Sequence, residues 1–560
     1  MSEFTGSRGT TGRQGTTGRQ ETLPSPAPGR RRPRRRRSAA AAGLAVLALA
    51  AAGCAGSGAT SANSQGAAGA SGTAAASVGS TLTIADTAFP TSMDPGGGQN
   101  AYNQYYDLAY DPLIVQTVSG GYAPGLATSW SYGPGNESFS FTLRSGVKFS
   151  DGTAFDAAAV KAWVQHELKV PGGAGLTYLN NLTTIDVASP TQLTLHFSKP
   201  TPQLPFVFSQ ALEMGEIGNP KQATGSYLAT HTDGTGEYVL DASQTVAGDH
   251  YTFTPNPYYW NPKAVHWKKV VIRVITNPTT TLQAMQSGQI QFAVQQQVSS
   301  IPTAKADGFN VTMPLQAFYG LAINDRAGSI VPALAKVQVR QAINYALNRQ
   351  ALNQAVYAGN GQPNDEIALP GDDGYVSSLA NRYPYDPAKA KQLLAAAGYA
   401  RGFTMHILDV TALGFDTLAE AISGELRAVG INAVPVAAAN IGDYFGKLAS
   451  GKYETSILGF GGLPGYFLYD LLIGPHATQF NPLHTTSTVL DGAYNALLPL
   501  SATAAGTYSQ QMVSYVTDQA WFAIAVSTPF VAFGVKGIAG SNAETNGRRE
   551  WYLPELYPAG

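Results

Sequence analysis

The residues that could carry catalytic or metal chemistry lie along this sequence without the spacing that such chemistry needs. Among eight histidines, His476 and His484 come closest to a metal-ligand pair, and their separation of eight residues favours surface or loop roles. His166-Glu167 lacks the second histidine of a zinc-protease helix. No Gly-x-Ser-x-Gly nucleophile turn occurs after residue 80. We therefore expect no catalytic residue, no metal site and no cofactor.

Cys54 is the one cysteine of the chain, which excludes a disulfide framework and any cysteine-based zinc module. It follows a basic cluster at 30–37 and fifteen uncharged small or apolar residues at 39–53, a pattern typical of a secretory signal peptide. That stretch is shorter than the roughly 20 apolar residues that span a bilayer. Ala51-Ala52-Gly53 before the cysteine resembles a bacterial lipobox, although the usual leucine is replaced by Ala51.

We therefore interpret residues 1–54 as a basic N-terminal extension and lipoprotein signal peptide, with Cys54 as the lipidated residue. The alternative is a free cysteine in an ordinary signal peptide. The sequence does not distinguish general secretory export from the twin-arginine route. Residues 55–80 are rich in Gly, Ala and Ser and contain no aromatic residue, which predicts a flexible linker.

The charge distribution argues against a nucleic-acid partner. Residues 1–37 hold 10 of the 35 Lys and Arg residues and 2 of the 36 Asp and Glu residues, which leaves 25 basic and 34 acidic residues in the remainder. Phosphate contacts need clustered Lys and Arg, and an acidic body does not provide them. We expect no nucleic-acid binding.

The remaining residues, 81–560, are sufficient for a large body with a substantial core, since 44% of the 560 residues are hydrophobic. Alternating segments predict strands at 82–85, 139–143, 193–197 and 270–275. Apolar spacing predicts two helices with Asp156 and Asp386 as their N-terminal caps, and a buried helix over 339–347. It also predicts a helix over 416–429, which leads into a strand at 431–436. Helices that alternate with strands in this way indicate a mixed α/β fold.

Several segments, read in order, resemble the bacterial extracellular solute-binding proteins of family 5, which serve ABC importers of peptides, nickel complexes and oligosaccharides. The resemblance spans about residues 82–540. The segments are DPLI (111–114), PGLATSW (124–130), FTLRSGVKFSDGTAFDAAAVKAW (141–163), TGEYVL (235–240), NPYYW (256–260), LQAMQSGQIQFA (282–293), VRQAINYALNR (339–349) and YPYDPAKAKQLLAAAGY (383–399).

The resemblance implies a two-lobed, type II periplasmic-binding-protein-like α/β fold with an extra subdomain inserted in the first lobe. It places lobe one at 81–118, 225–314 and 526–560, the inserted subdomain at 119–224, and lobe two at 315–525. The first crossing between lobes is expected near 319–323 and the return within 524–533. A ligand would lie in the cleft and be enclosed when the lobes close.

The resemblance also nominates the residues that bind the ligand. These are Asn100 and Tyr102 after the first strand, Tyr319 at the first crossing, and Phe460, Gly461 and Tyr466 in a glycine-rich loop. Peptide-binding members carry an aspartate in that loop, where it pairs with the peptide's amino group. Here the loop contains no acid before Asp470, although Asp470 or Asp325 could substitute, and a buried ammonium without a carboxylate is costly.

The family implies a membrane-tethered, extracytoplasmic binding protein that is monomeric, is not an enzyme, and delivers its ligand to the permease subunits of an ABC importer. We expect a peptide ligand. An oligosaccharide or another neutral solute is the alternative that the missing loop carboxylate favours. Nickel chelates are disfavoured because no histidine falls in the nominated segments. A ligand sensor for a signalling receptor and a secreted hydrolase are alternatives of other classes.

Overall fold

The structure is a computed structural model that describes residues 81–97, 102–170, 174–477, 480–540 and 551–559. The predicted signal peptide, the linker, Cys54 and Asn100 lie outside the described residues. Within the described ranges, no helix combines the length and apolar character needed to cross a membrane.

The described residues form strands and helices that alternate along much of the chain. The strands are β1 (Thr81–Asp86), β2 (Ile114–Gln116), β3 (Tyr122–Pro124), β4 (Ala127–Tyr132), β5 (Ser138–Leu143), β6 (Leu182–Ser189), β7 (Gln192–Phe197), β8 (Tyr238–Leu240), β9 (His250–Pro255), β10 (Lys269–Val274), β11 (Phe292–Ala293), β12 (Asn310–Thr312), β13 (Leu315–Ile323), β14 (Gln362–Pro363), β15 (Phe403–Asp409), β16 (Ile431–Ala437), β17 (Thr455–Gly461), β18 (Phe522–Pro529), β19 (Ala532–Gly534), β20 (Ile538–Ala539) and β21 (Tyr557–Pro558). The helices are α1 (Asn103–Tyr106), α2 (Ala157–Glu167), α3 (Ala174–Tyr178), α4 (Leu204–Val207), α5 (Pro278–Gln286), α6 (Ile301–Ala306), α7 (Val337–Ala346), α8 (Arg349–Tyr357), α9 (Pro387–Ala396), α10 (Phe415–Ala428), α11 (Ile441–Ala449), α12 (Gly465–Leu468), α13 (Thr488–Leu497) and α14 (Ala502–Asp518).

Three sheets of four or more strands organise these elements, and β2-β3 and β20-β21 form two further two-stranded sheets. A seven-stranded sheet with the order β12-β19-β11-β1-β10-β9-β8 forms what we call the first lobe. A six-stranded sheet with the order β14-β18-β13-β17-β15-β16 forms the second lobe. A four-stranded sheet with the order β4-β5-β7-β6, together with the helices and loops of residues 127–217, forms the four-stranded subdomain.

The elements predicted from apolar spacing are confirmed, and their termini show why. Asp156 accepts a hydrogen bond from the Ala159 N–H at 2.9 Å and so caps α2. Asp386 caps α9 in the same way, at 2.8 Å from the Lys389 N–H. Gly430, at a φ of +96°, ends the segment after α10 and turns the chain into β16.

The crossing strand β13 lies between β17 and β18 and is antiparallel to both. β18 stays paired within the six-stranded sheet as far as Pro529, and β19 joins the seven-stranded sheet from Ala532. Strand pairing therefore favours a return to the first lobe between 529 and 532 rather than at 526. The other predicted lobe boundaries remain predictions.

The buried apolar residues form three cores, and one of them contains residues from two parts of the fold. The largest core contains Phe206 of the four-stranded subdomain together with Phe318 and Phe467 of the second lobe. The first lobe has two separate cores, one around Ile272 and one around Phe533. The four-stranded subdomain thus shares apolar packing with the second lobe.

Candidate ligand-binding site

A cavity of about 390 Å³ lies where the first lobe, the four-stranded subdomain and the second lobe meet. This volume is within the range of small-ligand sites in proteins. Residues from all three parts surround it: Asn103, Asp107, Phe530, Trp551 and Tyr552 with the first lobe, Gln116, Tyr178, Phe206, Gln210, Ala211 and Leu212 with the four-stranded subdomain and its entry, and Leu315, Gln316, Ala317, Tyr319, Leu369, Pro370, Asp372 and 459–463 with the second lobe.

One wall of the cavity is built by the pairing of β13 with β17. Their register sets Tyr319 opposite Gly459 and Ala317 opposite Gly461. A Cβ atom at Gly459 would lie 2.4 Å from the Tyr319 ring, so glycine at 459 is what allows the ring to lie against the strand. Burial raises the pKa of the Tyr319 hydroxyl, which keeps it protonated and able to donate a hydrogen bond.

Phe460 presents the next aromatic surface of this wall. Its ring meets Phe480 edge to face, with centroids 5.4 Å apart. Phe480 is in turn attached to the second lobe through its carbonyl, which accepts a hydrogen bond from Arg326 Nη2 at 3.2 Å. Arg326 is buried and lies over the Trp521 ring, so Phe460 is supported from behind by a fixed cationic and aromatic cluster.

Amide side chains form the polar part of the opposite wall. The Gln116 N–H donates to Gln210 Oε1 at 2.9 Å, and Gln210 Nε2 donates to the Gln116 carbonyl at 2.9 Å. Asn103 Nδ2 donates to the Gln210 carbonyl at 3.4 Å. The Gln116 atoms in these bonds belong to the backbone, so the bonds fix the side-chain amides of Gln210 and Asn103. The remaining donor and acceptor positions of these two amides can serve a ligand.

Two carboxylates, Asp107 and Asp372, are the charged groups among the described lining residues, and both side chains are buried. Asp372 Oδ2 accepts a hydrogen bond from the Leu369 N–H at 2.7 Å, which fixes the carboxylate beside the glycine-rich loop. Its Oδ1 lies 2.6 Å from where a Cβ of Gly462 would be. The loop therefore has a carboxylate next to it, supplied by a segment 90 residues earlier in the chain.

The structure brings three of the nominated ligand-binding residues to the cavity. Tyr319, Phe460 and Gly461 line it. Tyr466 instead lies in the core with 2% of its surface exposed, stacked on Tyr494 at a centroid distance of 5.7 Å. Tyr102 packs half-buried against a first-lobe core, and it is Asn103, the next residue, that reaches the cavity.

Neither acid that was considered as a substitute for the missing loop carboxylate lies at the cavity. Asp470 accepts a hydrogen bond from the Tyr494 hydroxyl at 2.9 Å, and the bonds of Asp325 to the backbone of Ile330 and Val331 fix a turn. Sequence reasoning missed Asp372, although the adjacent acids of the segment Pro370–Tyr375 were visible. Among the described residues, no group of three or more His, Cys, Asp or Glu side chains is placed to hold a metal ion.

Three comparisons with known proteins bear on this arrangement. Residues 121–475 match the sequence model of the family described as bacterial extracellular solute-binding proteins, family 5. The chain is 25% identical over 418 residues to di/tripeptide-binding protein 1 of Pseudomonas aeruginosa, which covers 68% of this chain and 76% of that protein. It is 28% identical over 346 residues to a glutathione-binding protein of Salmonella paratyphi A, covering 59% of this chain and 62% of that protein.

Solved structures show the same fold. The structure of HbpA2 from Haemophilus parasuis superposes with a TM-score of 0.74 at 20% identity, covering 86% of this chain and all of that chain. A periplasmic murein tripeptide-binding protein superposes with a TM-score of 0.71 at 18% identity, covering 86% of this chain and 97% of that chain. The periplasmic-binding-protein fold expected from the sequence is therefore confirmed.

Proposed function

Because the chain belongs to the bacterial extracellular solute-binding proteins of family 5, we propose that it captures a peptide between its two lobes and delivers it to the permease subunits of an ABC importer. On this proposal the protein binds and releases its ligand without chemical change, so it is not an enzyme, and it acts as a monomer outside the cytoplasm.

The observation that carries the proposal is the position of the cavity. Its walls come from both lobes and from the four-stranded subdomain, and the crossing strand β13 forms part of one wall. A ligand bound there contacts groups that separate when the lobes open. Such a ligand binds the closed state better than the open state, which is the condition for ligand-driven closure.

The composition of the walls supports a peptide with a free amino group. The side-chain amides of Gln210 and Asn103 suit peptide amides, and the aromatic rings of Tyr319 and Phe460 suit apolar side chains. The Asp372 carboxylate beside Gly462 is suited to an ammonium group. This arrangement supports free-amine peptides as ligands, although the loop sequence itself has no acid before Asp470.

An oligosaccharide or another neutral solute is the second candidate. The exposed edge of the Gly459–Leu463 segment and the faces of Tyr319 and Phe460 favour it, because sugars pack on aromatic rings and bond to backbone amides. The two candidates differ in their need for the Asp372 carboxylate: a neutral ligand does not require it.

The tether is proposed on the sequence pattern before Cys54, whose thiol would carry the lipid at the outer face of the membrane. The basic cluster and the short apolar stretch support export, and the linker at 55–80 would separate the body from the bilayer.

Thermal unfolding of the purified protein with libraries of di- and tripeptides, oligosaccharides and metal chelates tests the function. A ligand at a hundred times its Kd adds about 2.7 kcal/mol to the free energy of unfolding, which is a readily measured shift. We expect free-amine peptides to give the largest shifts. Stabilisation by oligosaccharides alone would replace the peptide with the second candidate, and turnover of any of these compounds would contradict a binding role.

A further inference from the structure

The four-stranded subdomain is attached to the first lobe and to the second lobe by contacts of different kinds. Toward the first lobe there is a bond between backbones, in which the Ser150 N–H donates to the Gly234 carbonyl at 2.9 Å. In the described part of the chain, no backbone–backbone hydrogen bond joins the subdomain to the second lobe. The subdomain therefore meets the second lobe through contacts that involve side chains, namely the shared apolar core and the side-chain hydrogen bonds described next.

Gln203 makes a side-chain contact across the boundary with the second lobe. Its Nε2 donates to Asp373 Oδ2 at 2.7 Å, and its Oε1 accepts from the Tyr466 N–H at 2.9 Å. Asp373 also accepts from Ser509 Oγ at 2.9 Å and from the Gly465 N–H at 3.0 Å. One amide thus engages a carboxylate that is already bonded within the second lobe.

Asn136 makes a second contact of the same type. Its Nδ2 donates to the carbonyls of Leu498 and Leu500, at 2.7 and 2.9 Å, in the connection between α13 and α14. Asn136 and Gln203 are both buried, with 5% and 6% of their surface exposed. Burial protects these bonds from competition by water, so each contributes more than an exposed bond would.

Both residues also share an unusual backbone conformation. Asn136 has a φ of +58° and Gln203 a φ of +64°, in the left-handed region that side-chain-bearing residues seldom adopt. Such a conformation costs free energy and persists where surrounding contacts hold it. At both positions the left-handed backbone accompanies an amide that reaches into the second lobe.

The Gln203 contact flanks the cavity. Gln203 precedes α4, whose Phe206 lines the cavity, and Asp373 follows Asp372, which lines the opposite wall. Phe467 packs against Tyr178 behind the wall, with ring centroids 5.0 Å apart. The bond between Gln203 and Asp373 therefore links two walls of the cavity through protein atoms alone.

We propose that Gln203 and Asn136 hold the four-stranded subdomain against the second lobe in the ligand-free protein, and so set the fraction of molecules that are closed. The effect on ligand affinity rests on the proposed function, because the apparent Kd is the intrinsic Kd divided by the competent fraction. Closure of the ligand-free protein does not depend on which ligand binds.

The test is small-angle X-ray scattering of the ligand-free protein with Gln203→Gly and Asn136→Gly. Glycine keeps the left-handed backbone without strain, so these variants remove the side-chain contacts alone. Ala358→Gly is the matched control, because Ala358 is also left-handed (φ +50°) and is exposed at the end of α8. We expect a larger radius of gyration for Gln203→Gly and for Asn136→Gly, and no change for Ala358→Gly.

Two further variants, Gln203→Glu alone and Gln203→Glu combined with Asp373→Asn, keep the proposal testable if the glycine variants fail to fold. At pH 8, Gln203→Glu sets a carboxylate against Asp373 and should open the protein, and adding Asp373→Asn should restore the wild-type curve. Scattering unchanged in folded Gln203→Gly and Asn136→Gly, or opening by Gln203→Glu that Asp373→Asn does not reverse, would overturn the proposal.

Binding measurements separate this proposal from the proposed function. Where the thermal screen has found a peptide ligand, we expect Gln203→Gly to raise its Kd by at least about fivefold. If the screen finds no ligand, the scattering result still decides closure. If a ligand binds wild type and Gln203→Gly equally, the closure proposal fails and the proposed function stands.

Discussion

A Cβ atom on Gly462 would lie 2.6 Å from Oδ1 of Asp372, so the two residues pack at a separation that glycine at 462 permits. This contact joins the glycine-rich loop to a carboxylate from a distant segment. It gives the cavity a negatively charged group at the position where the loop sequence has none. We therefore propose that Asp372 distinguishes a free-amine ligand from a neutral one.

Phe460 and Tyr466 should respond differently to truncation, because one lines the cavity and the other lies in the core. We expect Phe460→Ala to reduce the stabilisation by a bound peptide while changing the unfolding temperature of the free protein little. Tyr466→Ala should cost about 3–5 kcal/mol of stability, as for other buried aromatics, and keep the ligand-induced increment. Thermal unfolding with and without the peptide measures both. The reverse pattern would move the site to Tyr466.

The sequence prediction for this loop differs from the structure for a physical reason. The sequence predicted a loop from Gly459 to Tyr466, whereas 459–461 belong to strand β17 and pair with β13. Alternation along a strand indicates which side chains share a face but not which strand is its partner. After Gly461 the chain leaves the sheet and enters α12, where strand alternation no longer tells which side chains face inward. The burial of Tyr466 could not be predicted from the sequence for that reason.

Asp372 shows the other limit of sequence reasoning. Asp372 lies beside Gly462 because of tertiary packing between segments 90 residues apart. Neither segment has an apolar periodicity that would predict this contact. The α/β fold and the capped helices α2 and α9, by contrast, follow from local rules that act within a few residues. Local structure could be predicted, while the composition of the cavity required the fold.

Substitution by alanine should have opposite effects on the free energy of unfolding at Gly320 and at Gly424. At Gly320, in the crossing strand β13, a Cβ would lie 2.4 Å from the backbone oxygen of Ala523, so Gly320→Ala should cost about 1–3 kcal/mol. Gly424 is exposed within α10 with no atom within 4 Å of a Cβ, so Gly424→Ala should stabilise by about 0.5–1 kcal/mol. Chemical denaturation measures both. Equal effects would show that β13 is less tightly packed than described.

Glu237 makes stability depend on pH. Burial, and secondarily the charge of Asp111, raise its pKa from 4.5 to about 9, and its Oε1 accepts from the Tyr259 hydroxyl at 3.3 Å. Between these pH values the folded protein keeps a proton that the unfolded chain releases. The contribution of Glu237 to stability therefore falls as pH rises from about 4.5 toward 9 and is level above that.

Glu237→Gln should remove this contribution. Relative to wild type, we expect the variant to gain on the order of 2 kcal/mol between pH 5 and pH 8, measured by urea unfolding at both values. Glu137→Gln, at an exposed position, is the matched control and should leave the pH dependence as it is. If Glu237→Gln and wild type show parallel pH profiles, the carboxyl of Glu237 is ionised in the folded protein.

Cys54→Ala tests the tether. If the thiol carries a diacylglyceryl group, two acyl chains hold the protein at the membrane, and the substitution should release it into the soluble extracytoplasmic fraction. Membrane fractionation of cells producing wild type and Cys54→Ala, probed for the protein, measures the change. Retention of Cys54→Ala with the membranes would contradict lipid anchoring through this residue.

The most direct test of a peptide-binding cavity is calorimetric titration of one free-amine peptide and its N-acetylated form into wild type and Asp372→Asn. Asp186→Asn serves as the control, because it replaces the same residue type by asparagine at an exposed position on β6. We predict that acetylation weakens binding to wild type and to Asp186→Asn by at least about tenfold, and that Asp372→Asn binds both peptide forms equally weakly. Undiminished preference of Asp372→Asn for the free-amine peptide would contradict the account.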